Sequence, residues 1–318
     1  MVSVIIPMYN CERYIKRCID SLVQQTYSYI EVLVVDDGST DKSADIVRHF
    51  QKQNTNIKYI YQTNSGPGVA RNTAIEKASG KYLLFVDADD YLSCDYIFDL
   101  VDIAEKNKSE LTIGGYTWIY ENKDKQKTVI PQKYERDRAE EWAYRISASW
   151  GRLYLFEFWK KHELKFNTEK DARAEDVPIV LFSNLMAKNI SIAKNAGYFY
   201  YQHQGSAMNN KKKVLFDFPY DAFEKIYNKT KEHETVNSID FFRIGLLKFF
   251  AQFDLVIYRK ASQVEKNRFR QYVKNVIGED YNIMVEVWKK SRMKVKFPIL
   301  HKIAIQLFVW KYISIIER

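Results

Sequence analysis

The chain has 318 residues, 46% of them apolar, with only 11 Gly and 6 Pro; this supports a sizeable core and excludes a disordered, linker-rich or collagen-like chain. Its net charge of +9 suits a polyanionic partner, whether nucleic acid, an anionic membrane surface or a phosphorylated substrate, and does not choose among them. The three cysteines, Cys11, Cys18 and Cys94, form no CxxC pair, which argues against a zinc cluster and fits a reducing, cytoplasmic compartment.

The first residues, MVSVIIPMYN, lack the basic and long apolar regions of a secretory signal. No stretch reaches the ~18 uncharged apolar residues that a membrane-spanning helix needs. VSVII (2–6) reads as a buried strand stopped by Pro7, and Ile15, Cys18, Ile19, Leu22 and Val23 follow at helical spacing. EVLVV (31–35) is a second strand ending in DDGST, with Ser39 or Thr40 placed to cap a helix that runs through 50. IKYIY (57–61) is a third strand. NSGPGVARNTAIEKASG then gives a Gly/Pro turn and a helix, stopped at Gly80. KYLLFV is a fourth strand and LTIGGYTWIY (111–120) a fifth.

Alternation of strand and helix predicts crossover connections and an α/β fold: a Rossmann-like, mostly parallel sheet with helices on both faces. Ligands bind outside the carboxyl ends of such strands. Three strands end in polar clusters, PMYN, DDGS and DADD, so all three are expected to face one crevice. Beyond 120 the pattern changes. ENKDKQK (121–127) reads as a solvated loop, helices are expected at 138–148, 152–163 and 175–188, and 190–203 alternates like strands and ends on His203. From 214 the chain reads as helical. This divides it into an α/β domain over 1–210 and a helical domain over 211–318.

Asp87, Asp89 and Asp90 crowd one turn at the end of a core strand. Like charges this close raise the cost of ionisation. A divalent cation held by carboxylates, commonly Mg²⁺ or Mn²⁺ shared with substrate phosphates, makes such a cluster tolerable. The same crevice offers Arg71 to a phosphate, Gly66 and Gly68 for close backbone approach, Tyr9 to stack on a base and Asp36 or Asp37 to accept from a base N–H. Each element alone is also an ordinary turn or cap; together they describe a nucleotide-diphosphate site.

VSVIIPMYN, VLVVDDGSTDKS, NSGPGVARN and KYLLFVDADDYL, in this order and spacing, resemble the family 2 glycosyltransferases of the GT-A fold over about residues 1–120, and less closely to 206. The resemblance implies an inverting transferase that uses a nucleotide-sugar donor and a divalent metal. It places Pro7, Tyr9, Asp36 and Asp37 in the base-binding set and Arg71 near the base and diphosphate. Asp87, Ala88 and Asp89 fall on the donor-binding DxD motif, with Asp87 toward the nucleoside and Asp89 on the metal, Asp87 being a further candidate metal ligand. Ala74 stands where glycine is common, a change that affects helix packing more than chemistry.

Inverting transfer needs a base for the acceptor hydroxyl. Glu175 and Asp176 resemble the family's ED motif, which makes Asp176 the candidate base and Glu175 an acceptor residue; acidic residues also simply favour a helix N-terminus. His203 resembles a late histidine that completes a metal shell, although a lone histidine is more often structural. SWGRLY (149–154) resembles an acceptor segment, so Trp150 would pack on a sugar and Arg152 meet phosphate. Core packing accounts equally well for Trp150.

The stretch 286–302 carries six Lys/Arg and one Glu ahead of an Ile/Phe/Trp-rich end. It reads either as a peripheral anchor on the anionic inner face of the plasma membrane or as a last helix packed into the domain or a homo-oligomer interface. The expectation is a cytoplasmic, membrane-associated transferase. It moves a hexose or N-acetylhexosamine from a UDP-sugar to a glycan acceptor, lipid-diphosphate-linked, in capsule or other cell-surface polysaccharide synthesis. A nucleotidyltransferase would carry a glycine-rich loop after the first strand, and PMYNCERY has no glycine. A nucleic-acid binder would cluster its basic residues on an aromatic sheet or reading helix, and no nucleic-acid partner is expected.

Overall fold

A computed structural model describes residues 1–121, 123–131, 148–168 and 175–203, with isolated positions 228, 263, 264 and 267. The domain boundary near 210, the helices expected at 138–148 and beyond 214, the basic run 211–213 and the basic, aromatic segment 286–318 lie outside the described residues.

Four parallel strands make the frame: β1 (Val2–Met8), β2 (Ile30–Asp36), β3 (Ile57–Tyr61) and β4 (Tyr82–Phe85). They are joined by α1 (Ile15–Val23), α2 (Ser43–Gln53) and α3 (Pro67–Lys77). β1, β2 and β4 are almost wholly buried. This is why they read as continuous apolar runs rather than alternating ones.

Residues 111–120, expected as one strand, form two in different sheets. β5 (Tyr91–Leu92), β6 (Leu111–Ile113), β7 (Tyr116–Tyr120), β8 (Lys123–Val129), β9 (Arg152–Leu155), β10 (Ile190–Ile192) and β11 (Tyr198–Gln202) complete the set. The central sheet runs β10-β6-β9-β4-β1-β2-β3, and a four-stranded sheet runs β5-β11-β7-β8. The chain leaves the first for the second at Gly114–Gly115. A Cβ on Gly114 would stand 2.2 Å from the Tyr96 hydroxyl, and one on Gly115 3.0 Å from the Ala196 Cα.

Two further expectations change. Residues 152–155 are not helical: β9 inserts antiparallel between β4 and β6, where Leu153 and Tyr154 are buried, and only α5 (Phe156–Lys161) is helix. A short apolar run fits either period. ENKDKQK is not a loop: Lys123–Val129 pairs antiparallel with β7 as an edge strand, and exposed charge on an edge discourages pairing with another chain. The expected Ser39 or Thr40 cap is also absent. α2 begins at Ser43, whose N–H donates to Asp41 Oδ1, while Ser39 Oγ accepts from the Asn10 N–H.

α4 (Tyr96–Asn107) packs against β6, β9 and β10, and α6 (Val177–Met186) meets β9 through Asn184, which accepts from Arg152. The register sets Ile5 beside Leu33 and Phe85, and Met8 beside Asp36, so the carboxyl ends of β1, β2 and β4 open at one edge.

Candidate active site

The polar ends of β1 and β2 are knitted together. Asn10 accepts on Oδ1 from the Thr40 N–H at 2.8 Å, and the Asp37 N–H donates to the Met8 carbonyl at 2.8 Å. Asp36 is buried; its Oδ1 accepts from the Ser39 N–H at 2.8 Å and its Oδ2 from the Tyr59 hydroxyl at 2.6 Å. Asp37 accepts from Gln62 Nε2 at 2.7 Å and from the N–H groups of Ser65 and Gly66 at 2.8 Å each. It thereby fixes the Gly/Pro turn ahead of α3. Gly66 has φ 93°, a left-handed conformation that suits glycine. A Cβ on Gly68 would stand 1.9 Å from the Asn167 carbonyl oxygen. Pro7 is part-exposed and Tyr9 is 50% exposed, standing free at the end of β1.

At the end of β4 the four residues of the acidic turn separate. Ala88 is buried. Asp87 Oδ1 accepts from Arg71 Nη2 at 2.8 Å, and Arg71 Nη1 donates to Glu175 Oε1 at 2.5 Å. Arg71 is 5% exposed, so the guanidinium at the centre of this chain is sheltered from water, while Asp87 and Glu175 keep part of their side chains open to it. Burial and then Asp89 push the Asp87 carboxyl up, against the pull of Arg71. Asp89 Oδ2 lies 2.9 Å from His203 Nε2, and the His203 ring packs on Tyr14 at 4.3 Å. Asp90 is fully buried, accepting from the Tyr198 hydroxyl at 2.6 Å and the Tyr201 N–H at 2.8 Å. Burial, with Asp89 and Asp87 nearby, holds its carboxyl well above the usual range.

Asp176 ends the loop before α6. Its Oδ2 accepts from the Ser149 N–H at 2.7 Å. Burial first, then the Glu175 carboxylate beside it, raises Asp176 to about 7, while Arg71 opposes the rise. Asp87, Arg71, Glu175 and Asp176 are thus one electrostatic unit drawn from three distant stretches of chain.

Of the two remaining candidates, Trp150 packs among aromatic rings, the alternative already open to it, and Arg152 needs correction. Trp150 is 9% exposed and lies against Tyr198 at 4.6 Å and Tyr200 at 5.0 Å. Arg152 is fully buried and donates from Nη1 to Asn184 Oδ1 at 2.7 Å. Arg152 points into the core from β9 and has no surface on which to meet an acceptor phosphate.

Sequence reasoning did not find Arg17. From α1 it donates to the Asp89 carbonyl at 2.8 Å, with its guanidinium between the rings of Tyr91 (4.5 Å) and Tyr201 (4.0 Å). The next residue, Cys18, sets its thiol 3.7 Å from the Asp87 carbonyl. Nothing local in CERYIKRCID marks these contacts. Only the packing of α1 against the turn does.

Asp89 and His203 supply a carboxylate oxygen and an imidazole nitrogen side by side, a donor pair suited to a divalent ion that completes its shell with diphosphate oxygens and water. Among the described residues, no three His, Cys, Asp or Glu side chains are gathered for a metal.

An α/β fold with a mostly parallel central sheet and acidic strand ends at one edge frames the class. Residues 3–162 match the family model Glycosyl transferase family 2, and the chain belongs to that family. It is similar to the uncharacterized glycosyltransferase EpsJ of Bacillus subtilis (strain 168), with 34% identity over 220 residues, covering 65% of this chain and 62% of that one. It is also similar to the poly(ribitol-phosphate) beta-glucosyltransferase of Bacillus spizizenii, with 32% identity over 203 residues, covering 63% of this chain and 32% of that one. The chain therefore spans less than two thirds of the length of these relatives. In fold it is similar to S. aureus TarS 1–349 in complex with UDP-GlcNAc, with a TM-score of 0.71 and 24% identity, covering 87% of this chain and 80% of that one. The family match sets aside the nucleotidyltransferase and nucleic-acid-binding readings. No helix among the described residues is long and apolar enough to cross a membrane.

Proposed function

We propose that the chain is an inverting glycosyltransferase. It moves a hexose or N-acetylhexosamine from a UDP-sugar to a glycan acceptor in cell-surface polysaccharide synthesis. The observation that carries this reading is Asp176, a part-buried carboxylate raised to about 7 and joined through Glu175 and Arg71 to the strand-end Asp87. A base works best with its pKa near the working pH. Asp176, oriented by the Ser149 N–H, takes the proton from the acceptor hydroxyl as that oxygen attacks the anomeric carbon. Glu175 helps hold the acceptor. Exposed Tyr9 stacks on the base, and Pro7, Asp37 and, beside it, Asp36 complete the base-binding set. Asp87 faces the nucleoside with Arg71 close to the diphosphate.

Asp89 and His203 would hold Mn²⁺ or Mg²⁺, which when bound neutralises the departing diphosphate. A lipid-diphosphate-linked acceptor at the inner face of the plasma membrane suits the basic, aromatic stretch 286–318; the support for this is the sequence. That stretch would serve either as a peripheral membrane contact or as a homo-oligomer interface.

The test is UDP release from UDP-glucose, UDP-galactose and their N-acetyl forms, with and without Mn²⁺ at neutral pH. Asp176→Asn should keep UDP-sugar binding and lose transfer. Absence of binding and turnover with every donor would overturn the reading.

A further inference from the structure

The four-stranded sheet carries an aromatic row that the chemistry above does not use. Tyr116, Trp118 and Tyr120 alternate onto one face of β7, and their register partners on β11 are Tyr198, Tyr200 and Gln202. Lys127 stands opposite Trp118 on β8. Trp150 lies nearly flat over Tyr198 and Tyr200, with interplanar angles of 12° and 25°. Trp118 meets Tyr200 edge-on at 4.8 Å and lies parallel to Tyr120 at 6.3 Å. The inner end of the row is buried, Trp118, Tyr120 and Tyr200 are half-buried, and Lys127 is exposed.

The row begins at the reacting centre. Ser149, whose N–H holds Asp176, immediately precedes Trp150. Burial pushes the pKa of the Tyr200 hydroxyl up, and the nearby Asp87 and Asp90 carboxylates push it further. The row therefore leads from the candidate base and the acidic turn outward to solvent.

We propose that this row, with Trp118 as its outer platform, is an acceptor subsite for pyranose rings. A pyranose presents axial C–H groups on its face and hydroxyls around its edge. The first fit an aromatic face; the second need a polar neighbour, which exposed Lys127 supplies at the rim. A linear polyol phosphate has no such face. The subsite rests on the transferase reading, because its purpose is to bring a sugar hydroxyl to Asp176.

Saturation-transfer NMR on the full chain tests it, with cellobiose, lactose and N,N′-diacetylchitobiose as ring probes, ribitol 5-phosphate as the polyol control, and UDP binding measured in parallel. Saturation should reach the axial C–H protons of at least one disaccharide. Trp118→Ala should weaken that binding about tenfold, and Trp118→Phe should largely keep it. UDP affinity should stay constant in both. If Trp118→Ala also loses UDP binding, Tyr120→Ala is judged by the same criterion. The proposal is overturned if no disaccharide is saturated while UDP binds, if the substitutions leave disaccharide binding unchanged, or if ribitol 5-phosphate shows the same dependence on Trp118. Failure of the intact chain to bind UDP would instead count against the transferase reading, and the Trp118-dependent disaccharide signal would still decide the subsite.

Discussion

Tyr198 donates its hydroxyl to Asp90 Oδ2 at 2.6 Å, and both residues are wholly buried. This bond ties the four-stranded sheet to the end of β4. It also gives the third carboxylate of the acidic turn a structural task, distinct from Asp87 in its ion pair and Asp89 beside His203. Tyr198→Phe should therefore lower stability by about 1–3 kcal/mol, since it leaves a buried carboxyl without one of its two donors. Thermal denaturation would show it; an unchanged midpoint would mean that Asp90 finds another partner.

Asp176 predicts an acid limb in the rate near pH 7, with activity rising as the carboxyl loses its proton. Its two charged neighbours act in opposite senses. Glu175→Gln removes a cause that raises Asp176, so the limb should move to lower pH. Arg71→Met removes a cause that lowers it, so the limb should move to higher pH. A pH profile of kcat/KM for each variant checks the sign, whatever happens to the absolute rate.

Glu31 is a second buried carboxylate with the opposite balance. Burial would raise it, but donors from Ser3, Lys58 and Ser79 outweigh that and hold it at about 2. Its contribution to stability is full above the ordinary glutamate pKa and is lost as pH falls through about 2. Glu31→Gln should cost about 1–3 kcal/mol at neutral pH. The gap from the parent chain, measured by denaturant titration, should narrow in acid.

The crowded carboxylates also predict a response to ligands. UDP with Mn²⁺, each at about a hundred times its dissociation constant, should stabilise the fold by about 2.7 kcal/mol per binding event that favours the native state. Asp89→Ala should abolish the Mn²⁺ part of the thermal shift and spare part of the UDP effect. An unchanged Mn²⁺ response would remove Asp89 from the metal site.

The parallel half of the fold was legible because β1, β2 and β4 are buried on both faces and so appear as unbroken apolar runs. The strand ends were legible because each closes on a polar cluster. β9 was not, since Arg152 to Leu155 is too short to separate strand from helix by period. Its arginine looked like a surface residue until the core supplied Asn184. β8 was hidden by its charge, which is what an edge strand needs. At the site, Asp87 and Asp176 were visible as strand-end and helix-start acids, but their connection through Arg71 and Glu175 spans 104 residues of sequence. Arg17 gave no signal, because its function depends on two rings from other elements.

The grip on the acidic turn has a consequence for engineering. Its backbone is held by Arg17 and Cys18 from α1, and its last carboxylate by Tyr198 and Tyr201 from β11. The four letters DADD are thus not a portable module. Transplanted as a loop onto another scaffold, they would arrive without the groups that aim them, and a library that shuffles this turn must carry α1 and β11 with it.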